Sequence, residues 1–182
     1  MSIKSMHTIA LISLGVFFTA VAVADETRPR RKDTRLPQPK QARLTTYVIP
    51  KVVRPGQTLT FNIKVSLDPG WRIFPYSLVQ PAVGGPVLTK FDFFDTGGFV
   101  VMSDWHASMP TTAKPDPAFP NQQTIEFFEE EITWSIRLKV PQGIAEGEKT
   151  LRCQANYVLM GGQLFTIPGR WTLDDVRVTV GR

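Results

Sequence analysis

Residues 54–71 read RPGQTLTFNIKVSLDPGW, and this stretch shows the clearest secondary-structure pattern in the chain. A Pro-Gly pair stands at each end, at 55–56 and 69–70, and such pairs mark turns. Between them every second residue is apolar, namely Leu59, Phe61, Ile63, Val65 and Leu67. This period of two predicts a half-buried antiparallel strand that runs from one turn to the next.

The same period recurs along the rest of the chain. EITWSIRLKVPQG at 131–143 and VRVTV at 176–180 each place their apolar residues on one side. Helical periodicity with caps is absent after residue 43, and parallel strands would need crossover helices. The sequence therefore predicts an all-β, immunoglobulin-like antiparallel β-sandwich over residues 44–182. Further strands are predicted at 44–49, 71–77, 87–94, 98–103, 149–158 and 163–173.

Residues 1–24 have the features of a secretory signal peptide. Lys4 precedes the uncharged apolar run at 8–24, and Ala22 and Ala24 form a small-x-small cleavage pattern. An uncleaved membrane anchor is the alternative, because 17 apolar residues can just span a thin bilayer. The segment predicts an exported protein, periplasmic or secreted.

The positive charge of the chain is concentrated in residues 25–43. This segment has seven basic and three acidic side chains, a net of +4, whereas residues 44–182 have 13 of each and a net of zero. With three prolines and few apolar residues, 25–43 is predicted to be a flexible arm. Weak contact with anionic lipid or polysaccharide is one expected use of the arm. Nucleic acid is not a predicted partner, because the predicted domain has no net basic charge.

The single cysteine of the chain lies in the predicted strand KTLRCQANYV, residues 149–158. Leu151, Cys153, Ala155 and Tyr157 share one face and polar residues share the other, so the Cys153 thiol is expected to be buried. A buried thiol forms little thiolate and reacts slowly. A redox role through Cys153 and a partner thiol remains an alternative, and it requires the sulfur to be accessible.

Three segments together resemble a known family: DPGWRIFPYS at 68–77, KPDPAFPNQQTIEFFEEEITWSIRLKVP at 114–141 and CQANYVLMGGQLFTIPG at 153–169. They are similar to the N-terminal periplasmic domain of the thiol:disulfide interchange protein DsbD, over about residues 44–180. The resemblance implies an immunoglobulin-like sandwich whose two redox cysteines lie beneath a phenylalanine-bearing loop, and Phe119 matches that phenylalanine.

The family's two cysteines are missing from the third segment. Asn156 occupies the first cysteine position and Thr166 the second, with Phe165 and Pro168 matching the family's aromatic residue and proline. Disulfide exchange needs a second thiol, which an amide or hydroxyl cannot replace. We therefore expect no catalytic residue, cofactor or metal, and a role in binding an envelope protein. The candidate binding surface comprises Asn156, Thr166, Phe119 and Phe165.

Other site types have little support in the sequence. His106 is the only histidine after residue 24 and there is no CxxC motif, so zinc binding is not predicted. The neighbours Ser103, Asp104 and His106 are read as loop polar residues, and Glu129–Glu131 as a charged strand edge. The proline-rich segment 109–123 is predicted to be a loop or an edge cover. A carbohydrate-binding module is the last alternative, and it requires exposed tryptophans, of which Trp105 is the best candidate.

Overall fold

Thirteen strands make up the part of the chain that the computed structural model describes. The described residues are 39–81, 84–162 and 165–182, without the side chains of 165–169. They contain no helix long and apolar enough to cross a bilayer. The predicted signal peptide and residues 25–38 of the predicted arm lie outside these ranges. The strands are β1 (Ala42–Ile49), β2 (Val52–Val53), β3 (Thr58–Leu67), β4 (Trp71–Ile73), β5 (Lys90–Asp95), β6 (Val100–Val101), β7 (His106–Ala107), β8 (Thr112–Lys114), β9 (Ile125–Glu129), β10 (Glu131–Lys139), β11 (Gly147–Gly161), β12 (Phe165–Thr172) and β13 (Val176–Val180).

The strands form two sheets. The first has the order β1-β3-β10-β6, and β7 also pairs with β10. The second has the order β2-β13-β11-β4-β9-β8, and β12 and β5 also pair with β11. Aromatic residues from both sheets meet between them: the ring centroids of Phe91 in β5 and Trp134 in β10 are 5.3 Å apart. The predicted all-β sandwich is confirmed, with one parallel pair, β2 with β13.

The stretch 54–71 folds as its sequence predicts. Phe61, Ile63 and Val65 are at most 1% exposed, because β3 turns this face toward the second sheet. Each Pro-Gly pair forms a tight turn in which the backbone N–H after glycine donates to the carbonyl three residues earlier, at 3.0 Å and 3.1 Å. Gly56 and Gly70 have φ of 85° and 80°, a conformation that favours glycine over any residue with a Cβ.

The chain passes from the second sheet to the first at Glu130. This residue has φ of 63° and separates β9 from β10, so the period of two does not continue through Glu129–Glu131. The Glu131 carboxylate then forms an ion pair with Lys64 on the neighbouring β3 at 2.8 Å. The prediction of a charged strand edge at Glu129–Glu131 is wrong, because β10 lies inside its sheet and this segment is the corner between the sheets.

Several element boundaries differ from those predicted. Strand β1 begins at Ala42, which is only 6% exposed, so the last two residues of the predicted arm belong to the sandwich. Segment 71–77 is a strand only as far as Ile73. The proline-rich segment 109–123 contains β8, which lies between Pro110 and Pro115 and pairs with β9. Four strands, β2, β7, β8 and β9, were not predicted as strands.

A second, smaller core lies beneath the loop that follows β8. Phe74, Ile125, Phe127 and Met160 are buried there, and Phe119 packs against them from the loop. This cluster is separate from the main core, where the neighbouring Phe128 is buried. Phe127 and Phe128 are therefore buried on opposite faces of β9, which explains why its sequence IEFFE has no clear alternation.

Candidate functional site

Strand β11 positions the candidate site, and its two faces have different characters. Leu151, Cys153, Ala155 and Tyr157 are buried, and Arg152, Gln154 and Asn156 are not. The Cys153 thiol is 0% exposed, and this burial raises its pKa well above the ordinary value. A thiol held in its neutral form in the core is a poor nucleophile. The predicted inward orientation of Cys153 is confirmed.

Asn156 lies on the outer face of β11, between two basic side chains. In the register of the sheet, Lys90 of β5 is its partner on one side and Arg170 of β12 on the other. The Arg170 guanidinium donates to the Asn156 side-chain oxygen at 3.1 Å. The Asn156 amide donates to the Asp92 carboxylate at 3.0 Å. Both ends of the amide are used, so its orientation is fixed.

This row of side chains lies in an open groove of about 540 Å³, which we call the outer groove. The loop between β4 and β5 forms one wall, where the Gln80 side chain bonds the backbone N–H and C=O of Leu88 at 2.9 Å and 3.2 Å. Val87 in the same loop is 56% exposed. The groove is lined by Gln80, Val87, Leu88, Lys90, Asn156, Tyr157, Val158 and Arg170.

The predicted site residues do not all come together. Thr166 is the register partner of Met160, and Phe165 is the partner of Gly161. Because a strand rises by about 3.3 Å per residue, Thr166 lies roughly 13 Å along β11 from Asn156. That distance is about twice what a disulfide spans between Cα atoms. The side chains of Thr166 and Phe165 lie outside the described residues.

Phe119 covers the second core rather than Asn156 itself. Its ring meets Phe74 edge to face with centroids 6.1 Å apart, and Val158 and Leu88 pack against the same cluster. Because Val158 and Leu88 also line the outer groove, the Phe119 loop forms the layer beside it. The loop is connected to β4 through the Asp116 carboxylate, which pairs with Arg72 at 2.8 Å.

A second hollow, which the sequence did not predict, lies beside β5. This aromatic cleft has a volume of about 270 Å³, and its walls are formed chiefly by Tyr76, Phe91, Phe93, Trp105, Asp92 and Asp104. Trp105 packs closely against Phe91, with ring centroids 4.6 Å apart. The prediction that Trp105 is exposed is wrong, because it is 8% exposed and surrounded by aromatic rings. In the sequence, the only indication of this cleft is that Phe91 and Phe93 stand two residues apart in β5.

Ser103, which would be the nucleophile of a hydrolytic site, lies near this cleft. The Ser103 hydroxyl donates to the Asp104 carbonyl at 3.0 Å and accepts the Arg137 N–H at 3.1 Å. Both hydrogen bonds are to backbone, so the hydroxyl is not activated by a side-chain base. Within residues 39–81, 84–162 and 165–182, no three His, Cys, Asp or Glu side chains are grouped so that they could hold a metal ion.

The comparisons with known proteins give structural similarities at low sequence identity. No protein-family model and no curated protein matches the chain. It is similar to the N-terminal periplasmic domain of ScsB from Proteus mirabilis, with 16% identity, a TM-score of 0.49, and coverage of 80% of this chain and 50% of that one. It is also similar to BcpA, the major pilin subunit of Bacillus cereus, with 8% identity, a TM-score of 0.39, and coverage of 77% and 40%.

A third similar structure is AggA, the major subunit of aggregative adherence fimbriae type I from Escherichia coli. Identity is 13%, the TM-score is 0.38, and the match covers 77% of this chain and 95% of that one. The chain thus spans half the length of the ScsB domain structure and two fifths of the BcpA structure.

Proposed function

We propose that this protein is an exported, non-catalytic binding module of the cell envelope. In this proposal the outer groove holds an extended segment of a partner protein, with an acidic side chain beside Asn156 and an apolar side chain next to it. The observation that carries the proposal is the row Lys90, Asn156 and Arg170, which runs across three paired strands inside an apolar groove. Location in the envelope is supported by the signal-peptide pattern of residues 1–24.

The charge of the groove supports an acidic partner. Lys90 and Arg170 flank Asn156 at strand spacing, so their Cα atoms are about 10 Å apart. Lys90 has no ion-pair partner within the described residues. The nearby Asp92 carboxylate accepts from Asn156 and holds the amide in place. A carboxylate placed above Asn156 would therefore lie near two cations and one carboxylate, a net charge of +1.

The apolar walls support a partner with an apolar side chain next to its acid. Val87, Leu88 and Val158 lie around the row of polar groups, and the exposed Val87 offers surface that a partner can bury. Burial of apolar surface supplies affinity, and the charges fix register and selectivity. An extended segment suits the groove because its side chains alternate and reach both kinds of surface.

The single buried cysteine supports a non-catalytic role. The 182 residues contain one cysteine, and its thiol is buried in the main core with a raised pKa. Exchange through a mixed disulfide needs a second thiol to resolve it. The resemblance to the DsbD N-terminal domain also supports an envelope domain that binds another protein. In this proposal the chain retains the binding role and lacks the two redox cysteines.

Site-specific crosslinking tests the proposal. A photoreactive phenylalanine analogue replaces Val87 in the groove or, as a control, Val52 in β2, which is 65% exposed. We expect a covalent adduct with an envelope protein from position 87 and none from position 52. The double variant Lys90→Glu with Arg170→Glu should abolish the adduct, and Lys139→Glu on the exposed side of β10 should preserve it.

The proposal fails if the adduct from position 87 survives reversal of both groove charges. It also fails if position 52 yields the same adduct, since the contact would then not depend on the groove. Circular dichroism of each variant establishes that the sandwich is folded before the adducts are compared.

A further inference from the structure

The aromatic cleft combines ring surfaces with negative charge. Tyr76 stacks on Phe91 with centroids 5.9 Å apart and planes 8° from parallel, and Trp105 lies beside both rings. Phe93 also stacks on Trp105, with ring centroids 5.9 Å apart. The result is a hollow lined mainly by aromatic rings, with Val101 and Ile136 beside them, that opens to solvent near the exposed residues Asp92 and Asp104.

The carboxylates of Asp92 and Asp104 form no salt bridge among the residues that the structure describes, although the Asp92 carboxylate accepts from the Asn156 amide. Partial burial is the main cause of the raised pKa of the Tyr76 hydroxyl. The charge of Asp104 raises it further, and the charge of Asp92 does so to a smaller extent. The negative field of the carboxylates therefore reaches the rings of the cleft.

We propose that the aromatic cleft binds a small organic cation, with its alkylammonium head against Tyr76 and Trp105 and beside the Asp104 carboxylate. The faces of aromatic rings attract cations, most strongly when water is excluded. Carboxylates at the mouth add Coulomb attraction. Anions are disfavoured by the same carboxylates. This site goes beyond the proposed function and uses neither Lys90 nor Arg170; it shares Asp92 with the outer groove, where the Asp92 carboxylate accepts from the Asn156 amide.

Ligand pairs that differ only in charge test the assignment. Choline and its uncharged analogue 3,3-dimethylbutan-1-ol are titrated against the full chain and followed by calorimetry and tryptophan fluorescence. We expect choline to bind with a Kd on the order of 1 mM, and the neutral analogue about tenfold more weakly. Tetramethylammonium chloride should change the fluorescence, and sodium chloride at equal ionic strength should not.

Variants locate the site. Asp104→Asn preserves side-chain shape at an exposed position and should weaken choline binding about fivefold. Asp68→Asn, an exposed carboxylate at the Pro69-Gly70 turn, is the matched control and should leave affinity unchanged. Trp105→Phe should remove most of the fluorescence change. Equal binding of choline and the neutral analogue overturns the proposal, as does an Asp104→Asn variant that binds choline like the wild type.

Discussion

The ion pair between Arg72 and Asp116 connects the Phe119 loop to the sandwich, and its removal is expected to cost more stability than any surface pair. The two side chains are 2.8 Å apart and only 17% and 4% exposed. Asp116 also accepts the Ala118 N–H at 2.9 Å, and Arg72 also donates to the Gly162 carbonyl at 3.2 Å. The guanidinium lies 4.7 Å from the centre of the Phe127 ring. Substitution Asp116→Ala therefore leaves a partly buried cation without its counter-ion.

The magnitude follows from these contacts. Breaking a buried ion pair by removing one partner costs about 3–5 kcal/mol. Arg72 keeps some solvent contact, the Gly162 carbonyl and the Phe127 ring, so we expect about 2–3 kcal/mol for Asp116→Ala. Asp116→Asn retains an acceptor for the Ala118 N–H and should cost about 1–2 kcal/mol. For a domain of this size the alanine variant should lower Tm by roughly 6–10 °C.

Urea unfolding followed by tryptophan fluorescence measures the free energy of unfolding of each variant. Glu148→Ala is the matched control, because Glu148 pairs with Arg177 at 3.5 Å on the surface, where both side chains are more than half exposed. A surface pair of this kind contributes about 0–1 kcal/mol. The reasoning is refuted if Asp116→Ala costs no more than Glu148→Ala.

Two further predictions concern the main core and a turn. The Cys153 thiol should resist a thiol reagent in the native protein and react at once in denaturant. Its pKa is raised in the folded state, so its contribution to stability is fully present below the unfolded pKa and declines above it. Between pH 8 and pH 10 the wild type should therefore lose roughly 1.5–2 kcal/mol of unfolding free energy that Cys153→Ala does not lose. Rapid native labelling, or equal pH slopes, would contradict this. Gly70→Ala should cost about 1 kcal/mol in urea unfolding through backbone strain alone, since φ is 80° and no atom lies within 4 Å of the added Cβ. Gly143→Ala is the control, because Gly143 has equal space and no positive φ, and it should be nearly neutral.

Short sequence patterns predicted those strands and turns whose conformation depends on neighbouring residues alone. The alternation in β3 and β10, the two Pro-Gly turns and the inward Cys153 all follow from side-chain period and backbone preference, and the structure confirms them. Strand β9 was not predicted because Phe127 and Phe128 are buried on its two opposite faces, which removes the alternation.

The candidate site was less predictable because it depends on pairings between distant strands. Asn156 and Thr166 were placed together by analogy, but the register of β11 with β12 gives Asn156 the partner Arg170 instead. Trp105 belongs to a loop-rich segment without alternation, so only the tertiary contacts with Phe91 and Phe93 reveal its burial. Register and loop packing are set by the whole fold and leave little trace in a short window of sequence.

Strand β11 runs for fifteen residues and hydrogen-bonds, along its length, with β13, β12, β5 and β4. Among the described strands it is the one that joins the two halves of the second sheet, so neither half keeps its pairing to the other if β11 detaches. The sheet is therefore expected to open as a single cooperative unit rather than by fraying strand by strand, with the amide hydrogens of β11 exchanging with solvent only when the whole domain unfolds.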